Sequence, residues 1–291
     1  MKFVREPEAN YITGLKESML FQGDAEALLK QLPSDFFRCC VTSPPYWGLR
    51  DYATQGQIGA EEEPSEYISN LVGVFEGVRR VLTDDGTLWL NVGDSYTSGN
   101  RGYRAPDKKN PVRAMPYRAK TPVGLKPKDL VGIPWRLALA LQQAGWYLRS
   151  DIIWEKPNCM PESVKDRPTK SHEYVFLLSK SLKYYYDYES IQEPSGRNRR
   201  TVWSIPTEPF PGAHFATFPP KLVEPCIIGG SRPGDWILDP FFGSGTVGVV
   251  CEQQHRKYVG IELNREYVNL AVNRIRNTER LLFTYDKDMS L

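Results

Sequence analysis

Residues 238–246 read Leu-Asp-Pro-Phe-Phe-Gly-Ser-Gly-Thr. They follow a short β-forming run, Trp236–Leu238, and open an apolar stretch, Thr246–Gln253, of helical character. Glycines let a backbone come close to a ligand, and a helix N-terminus presents unpaired N–H groups. Phe241, Gly243, Ser244, Gly245 and Thr246 are therefore candidate ligand contacts. Glu262 stands sixteen residues beyond Thr246, at the end of the next strand-like run. An acid there can accept both hydroxyls of a ribose. A phosphate cradle does not fit, because Gly-Lys-Ser/Thr is missing and Asp239 would repel a pyrophosphate. Asp239 suits a ligand that carries a cationic amine beside its ribose.

S-adenosylmethionine has both groups. A second cluster, Thr42-Ser43-Pro44-Pro45-Tyr46-Trp47, closes the β-forming run 36–42. Two consecutive prolines stiffen the backbone and remove two donors, which leaves a rigid array of acceptor carbonyls. Such an array can hold the exocyclic amine of a nucleobase, with Tyr46 as a flat face for an extruded base. An exocyclic amine is a poor nucleophile, since its lone pair is delocalised into the ring. Ser43 and the Pro44 carbonyl can accept the amine hydrogens and localise that lone pair. In-line alignment with a methyl sulfonium then supplies most of the acceleration, with no covalent enzyme intermediate.

These two clusters need a scaffold that brings strand ends together. Residues 36–42 and 86–92 read as strands, and between them 66–82 has apolar residues at helical spacing from Tyr67 to Leu82. The alternation continues with a helix at Pro134–Ala144 and strands at Asp151–Trp154 and Tyr174–Ser179. A helix at Pro219–Gly229, a strand at Trp236–Leu238, a helix at Thr246–Gln253, a strand at Tyr258–Ile261 and a helix at Tyr267–Thr278 follow. This order predicts a single α/β domain, a mostly parallel sheet with helices on both faces. Two stretches break the pattern. Residues 97–128 hold nine cations, among them Arg101, Arg104, Lys108, Lys109 and Arg113, against the one acid Asp107. Residues 156–210 are polar and aromatic, with Arg197, Arg199 and Arg200. Both read as substrate-facing insertions, and the basic one as a phosphate-backbone contact.

Together the clusters resemble the amino-methylating DNA methyltransferases, which act on N4 of cytosine or N6 of adenine. Ser43-Pro44-Pro45-Tyr46 precedes Asp239–Gly245, the circularly permuted order of that family's β group. The resemblance covers nearly the whole chain. It implies a Rossmann-like seven-stranded sheet, S-adenosyl-L-methionine as cofactor, base flipping from duplex DNA and a restriction-modification context with a separate endonuclease. It assigns Ser43, Pro44, Pro45 and Tyr46 to catalysis, and Asp239, Phe241, Gly243, Ser244, Gly245, Thr246 and Glu262 to the cofactor. Phe21-Gln22-Gly23-Asp24-Ala25 looks like the segment whose acid, Asp24, recognises the cofactor adenine. His214-Phe215-Ala216-Thr217-Phe218-Pro219 resembles the segment that closes over the methionine moiety, so His214 and Thr217 join the cofactor set. A serine at the head of the motif is usual for N4-cytosine enzymes, and Asp or Asn for N6-adenine. Cytosine is the expected target and adenine the alternative. A nucleic-acid binding module without catalysis is the alternative of another class, disfavoured by the intact clusters.

Bulk composition narrows the rest. Net charge is +2, so any DNA affinity must come from local clustering. The five cysteines are scattered without C-x-x-C spacing, and the three histidines lie far apart, so neither a disulfide framework nor a metal site is expected. Pro225-Cys226 resembles the nucleophile of C5-methylating enzymes, but it sits in an apolar run where cysteine is a core residue. No apolar stretch reaches the roughly 18 residues of a spanning helix, and Met1–Glu8 lacks the apolar core of a signal peptide. A reducing cytoplasm is the expected location.

Overall fold

The computed structural model describes residues 1–5, 15–48, 56–97, 120–208 and 218–288. β1 (Lys2–Arg5), β2 (Met19–Gln22) and α1 (Ala25–Leu29) come first, then β3 (Phe37–Thr42), α2 (Pro64–Val81) and β4 (Leu82–Val92). α3 (Ile133–Gln143), β5 (Tyr147–Glu155), β6 (His172–Ser179) and β7 (Val202–Ser204) follow. The described chain closes with α4 (Pro220–Gly230), β8 (Trp236–Asp239), α5 (Thr246–Gln253), β9 (Lys257–Glu262) and α6 (Arg265–Asp288).

Local chemistry explains the elements that matter most. α2 starts at Pro64, whose fixed φ and missing N–H suit the first helical turn. Its Tyr67, Leu71, Val74, Phe75, Val78 and Val81 form one buried stripe. Gly245 precedes α5 with φ 79°, a left-handed conformation that side chains resist. Its position admits no Cβ in any case, since one would lie 2.9 Å from Ala271 Cβ of α6.

All nine strands join one sheet, in the order β1-β2-β9-β8-β3-β4-β6-β5-β7. Pairing is parallel throughout except on the two sides of β6, which runs against its neighbours β4 and β5. One buried core holds the inward faces of α1, α2 and α3, and a second holds those of α4, α5 and α6, so the sheet is sandwiched between two helical layers. From β8 the chain passes through α5 to β9 on one side, and from β3 through α2 to β4 on the other. The crevice beyond the carboxyl ends of β8 and β3 is thus a topological switch point, where open α/β sheets bind ligands.

Two expectations need correction. The sheet has nine strands where seven were expected; the short β1 and β7 lengthen its two edges. Residues 156–210 are not one insertion, because β6 lies inside the sheet between β4 and β5. A continuous apolar run, Val175–Leu178, is what such a doubly covered strand requires. Of the basic stretch, residues 98–119 lie outside the described residues, Arg101, Arg104, Lys108, Lys109 and Arg113 among them. Its flanks meet where Thr97 N–H donates to the Asp129 carbonyl at 2.9 Å and Tyr96 bridges to Leu130.

Candidate active site

One cavity opens at the carboxyl ends of the parallel strands, and both sequence clusters line it. Asp24 follows β2; Ser43, Pro44, Pro45 and Tyr46 follow β3; Phe241, Gly243, Ser244 and Thr246 follow β8; Glu262 ends β9. Residues some 200 apart in the chain therefore share one wall because β8 pairs directly with β3.

On the glycine-turn side, Glu262 is fastened by two backbone donors. Gly243 N–H donates to Oε2 at 2.8 Å and Asn264 N–H to Oε1 at 2.7 Å. Burial raises its pKa above the usual carboxylate range, and these backbone hydrogen bonds work against that rise. Each oxygen keeps a lone pair for an incoming hydroxyl. Gly23 N–H donates to the Glu262 carbonyl at 3.0 Å, which holds the Asp24 corner beside it. Asp24 caps α1, its Oδ1 accepting from Ala27 N–H at 2.8 Å, and also faces the cavity. Arg274 of α6 supports the turn from behind, donating to Ser244 Oγ at 3.1 Å and Thr246 Oγ1 at 2.9 Å.

Asp239 departs from its expected place. It is fully buried and does not line the cavity. Its Oδ1 accepts from Thr42 Oγ1 at 2.7 Å and from Phe241 N–H at 3.1 Å, while Oδ2 has no hydrogen-bond partner. Thr42 immediately precedes Ser43, so the carboxyl couples the two clusters. Burial pushes its pKa up to about 7, against the hydrogen bonds from Thr42 and Phe241. Gly245 likewise lies behind the cavity, against α6. His214 and Thr217 lie outside the described residues; the adjoining Phe218 lines the cavity.

On the Ser-Pro-Pro-Tyr side, Tyr67 of α2 donates its hydroxyl to the Pro45 carbonyl at 2.8 Å, and Trp47 Nε1 donates to the Glu61 carbonyl at 3.0 Å. These contacts occupy the outer half of the rigid loop and leave Ser43 and Pro44 facing the cavity. Tyr46 packs so tightly on Gly93 that a Cβ there would lie 2.6 Å from its ring. Its hydroxyl donates to Glu173 Oε2 at 2.7 Å, with Asn91 Oδ1 also within 3.2 Å. Glu173 in turn pairs with the Lys156 ammonium. Burial alone would raise the Glu173 pKa, but the Lys156 charge and the hydrogen bonds from Lys156, Tyr46 and Asn91 hold it below its ordinary value. Lys156 also lies 4.1 Å from the centre of the Trp154 ring.

Asn91, Trp154, Lys156, Glu173 and Thr207 line the cavity without having been singled out by sequence. Asn91 and Trp154 carry a faint signal, lying at or near the ends of predicted strands; Lys156, Glu173 and Thr207 carry none. Asp94, three residues on, serves α3 instead, accepting from Gly132 N–H at 3.0 Å and Ile133 N–H at 3.1 Å. None of Arg197, Arg199 and Arg200 lines the cavity. Arg199 lies over the Trp203 ring at 4.8 Å, and Arg200 pairs with Glu193 at 2.8 Å. Cys226 is buried, its thiol pushed well upward in pKa and donating to the Leu222 carbonyl at 3.3 Å; it is a core residue. Among the described residues no cluster of metal-ligating side chains occurs, and no helix is long and apolar enough to cross a membrane.

A Rossmann-like sheet with a glycine-rich turn and a Ser-Pro-Pro-Tyr wall in one cavity defines the class of methyltransferases that act on amino groups of DNA. The DNA methylase family for N6 and N4 methylation matches residues 37–273, and the chain belongs to it. The type II methyltransferase M.Cfr9I of Citrobacter freundii is 65% identical over 269 residues, covering 91% of this chain and 90% of its own. M.SmaI of Serratia marcescens, another type II methyltransferase, is 62% identical over 269 residues, covering 90% and 92%. Among solved structures, the PvuII DNA methyltransferase (cytosine-N4-specific) superimposes with TM-score 0.68 at 21% identity, covering 92% of this chain and 93% of that one. A DNA modification methylase of Thermus thermophilus, solved in complex with S-adenosyl-L-methionine, gives TM-score 0.65 at 26% identity, covering 89% and 93%.

Proposed function

We propose that this DNA methyltransferase transfers a methyl group from S-adenosyl-L-methionine to the exocyclic N4 of a cytosine swung out of duplex DNA. The observation that carries the reading is that Ser43 and Pro44 share one cavity with Glu262 and the Gly243–Thr246 turn. Bound there, the cofactor would supply an electrophilic methyl on a sulfonium. The residues present fit it: Glu262, pre-set by two backbone amides, accepts the ribose hydroxyls, and Asp24 receives the adenine end. Phe218, Phe241 and Tyr267 provide apolar walls.

On the base side, Ser43 Oγ and the Pro44 carbonyl accept the two amine hydrogens and draw the lone pair out of ring conjugation, while Tyr46 holds the ring plane. After methyl transfer the cationic amine gives up one proton to solvent water; Ser43 Oγ and the Pro44 carbonyl orient that hydrogen but are too weakly basic to keep it. Ser43 supports cytosine over adenine: a neutral hydroxyl stands where Asp or Asn stands in most adenine enzymes. The PvuII enzyme, cytosine-N4-specific by its description, is in keeping with that reading. The basic residues of 97–128 contact the DNA backbone, with Arg197, Arg199 and Arg200 as a secondary path.

The deciding experiment is expression in a host without DNA methylation, followed by nucleoside analysis of its DNA. N4-methylcytosine is expected. N6-methyladenine would overturn the cytosine assignment, and unmodified DNA alongside intact cofactor binding would overturn catalysis.

A further inference from the structure

We infer that Glu173 is a positioning residue for methyl transfer, acting through the Tyr46 hydroxyl to fix the aromatic face on which the target base lies. The inference rests on the reading of Tyr46 as the base-stacking residue. Three strands bring the group together: Asn91 from β4, Trp154 with the adjoining Lys156 at the end of β5, and Glu173 from β6. They meet because β6 runs antiparallel, so its first residues stand beside the last residues of β4 and β5. A parallel strand in that place would present its carboxyl end instead.

Every polar atom in the set has a directed partner. Asn91 Nδ2 donates to the Tyr174 carbonyl at 3.1 Å and faces Glu173 Oε2 at 3.3 Å, which turns its Oδ1 toward Tyr46. The tyrosine hydroxyl therefore has two acceptors within reach and takes the shorter bond, to Glu173. Lys156 holds the other carboxylate oxygen and rests against Trp154. Gly93 closes the opposite flank of the ring. The ring, which lines the cavity, is thus held at its hydroxyl and packed against Gly93.

A half-buried ion pair is a poor means of stabilising a fold, because desolvation offsets most of the attraction. Here the pair lies in the cavity wall, and it reaches the Ser-Pro-Pro-Tyr loop through the tyrosine hydroxyl. Orientation is what such an arrangement supplies, and small errors of placement cost rate more than affinity.

The test is a double-mutant cycle in single-turnover methylation, with Tyr46→Phe, Glu173→Gln and the double variant. Each single change is expected to slow transfer about tenfold at saturating DNA while leaving KM for DNA and cofactor affinity near wild type; Tm should hold for Tyr46→Phe and fall for Glu173→Gln, which leaves the Lys156 ammonium without its partner carboxylate. The double variant should be no slower than the slower single, since both remove the same constraint. Rates that multiply, or a wild-type rate for Tyr46→Phe, would overturn the inference. If Glu173→Gln does not fold, Tyr46→Phe alone decides it. Tyr46→Ala separates the underlying reading: a wild-type rate there removes the stacking role altogether, whereas a slow Tyr46→Ala beside an unimpaired Tyr46→Phe removes only the part played by Glu173.

Discussion

A single methyl group placed at Gly93 should silence the enzyme without unfolding it. The added Cβ of Gly93→Ala would meet the Tyr46 ring at 2.6 Å, so the ring must shift by close to an ångström. Displacement of that size at a reacting centre costs up to about a hundredfold in rate. Single-turnover rates should fall accordingly while calorimetry finds cofactor affinity unchanged; an unaltered rate would show that the ring can move freely. Asp239 gives a second prediction, in pH. Its folded pKa is raised to about 7 from an ordinary 3.8, chiefly by burial. The native state then binds more protons than the unfolded one between those values, so the stability contributed by the neutral acid is complete below about pH 4. It is lost as pH rises through 7, by on the order of 4 kcal/mol. Against Asp239→Asn, which cannot ionise, the wild type should lose ground steadily from pH 4 to pH 8 in denaturant titrations. A constant difference would mean that the carboxyl is already ionised at pH 4.

At the scale of elements, α5 and α6 carry the cofactor turn between them. Replacing Gly245 by alanine forces a side chain into left-handed backbone at φ 79° and against Ala271 of α6. A loss of about 1–3 kcal/mol of stability is expected, with weakened cofactor binding, and urea midpoints would measure it. Strands and helices with strong period were readable beforehand: β3, α2, α3, α5 and β9 lie where the apolar spacing put them, within a few residues. β1, β2 and β7 were not: at three or four residues they are too short for a period to emerge, and they lack the glycine-rich turn that marks the end of the equally short β8. β4 begins at Leu82, ahead of the expected Gly86, because its first turn of polar residues, Thr83–Asp85, hides the extension. The site divides the same way. Ser43–Tyr46 and Gly243–Thr246 are contiguous, so composition alone marked them. Asn91, Lys156 and Glu173 are single residues whose meeting depends on the reversal of β6, which no local pattern encodes. Asp239 was marked by its motif, but its burial and its bond to Thr42, which tie the two loops, were not legible there.

For the molecule as a whole, a net charge of +2 leaves DNA affinity to a local field. Neutralising Lys108, Lys109 and Arg113 together should weaken binding to every DNA sequence alike. It should also lower the slope of log affinity against log salt by roughly 0.9 per lost phosphate contact, with cofactor affinity preserved. A wild-type slope would move the DNA path to Arg197, Arg199 and Arg200. The sheet order has a further consequence, for biosynthesis. Of the described strands β9 is made last, yet it lies between β2 and β8 and joins β1 and β2 to all the others. While residues 257–262 are still being translated, β2 has only β1 beside it, and an isolated pair of short strands does not hold together. The helical contact of α1 with α2 keeps the amino end nearby, but Asp24 has no Glu262 to face. A nascent chain is therefore unable to take up cofactor, and cannot mark DNA, until its final strand slots into the gap. A chain ended at residue 256 should be cut by protease within β2 and resist within α2 and β4 (64–92) and α3 and β5 (133–155); protection of β2 in that fragment would show that it folds without its keystone.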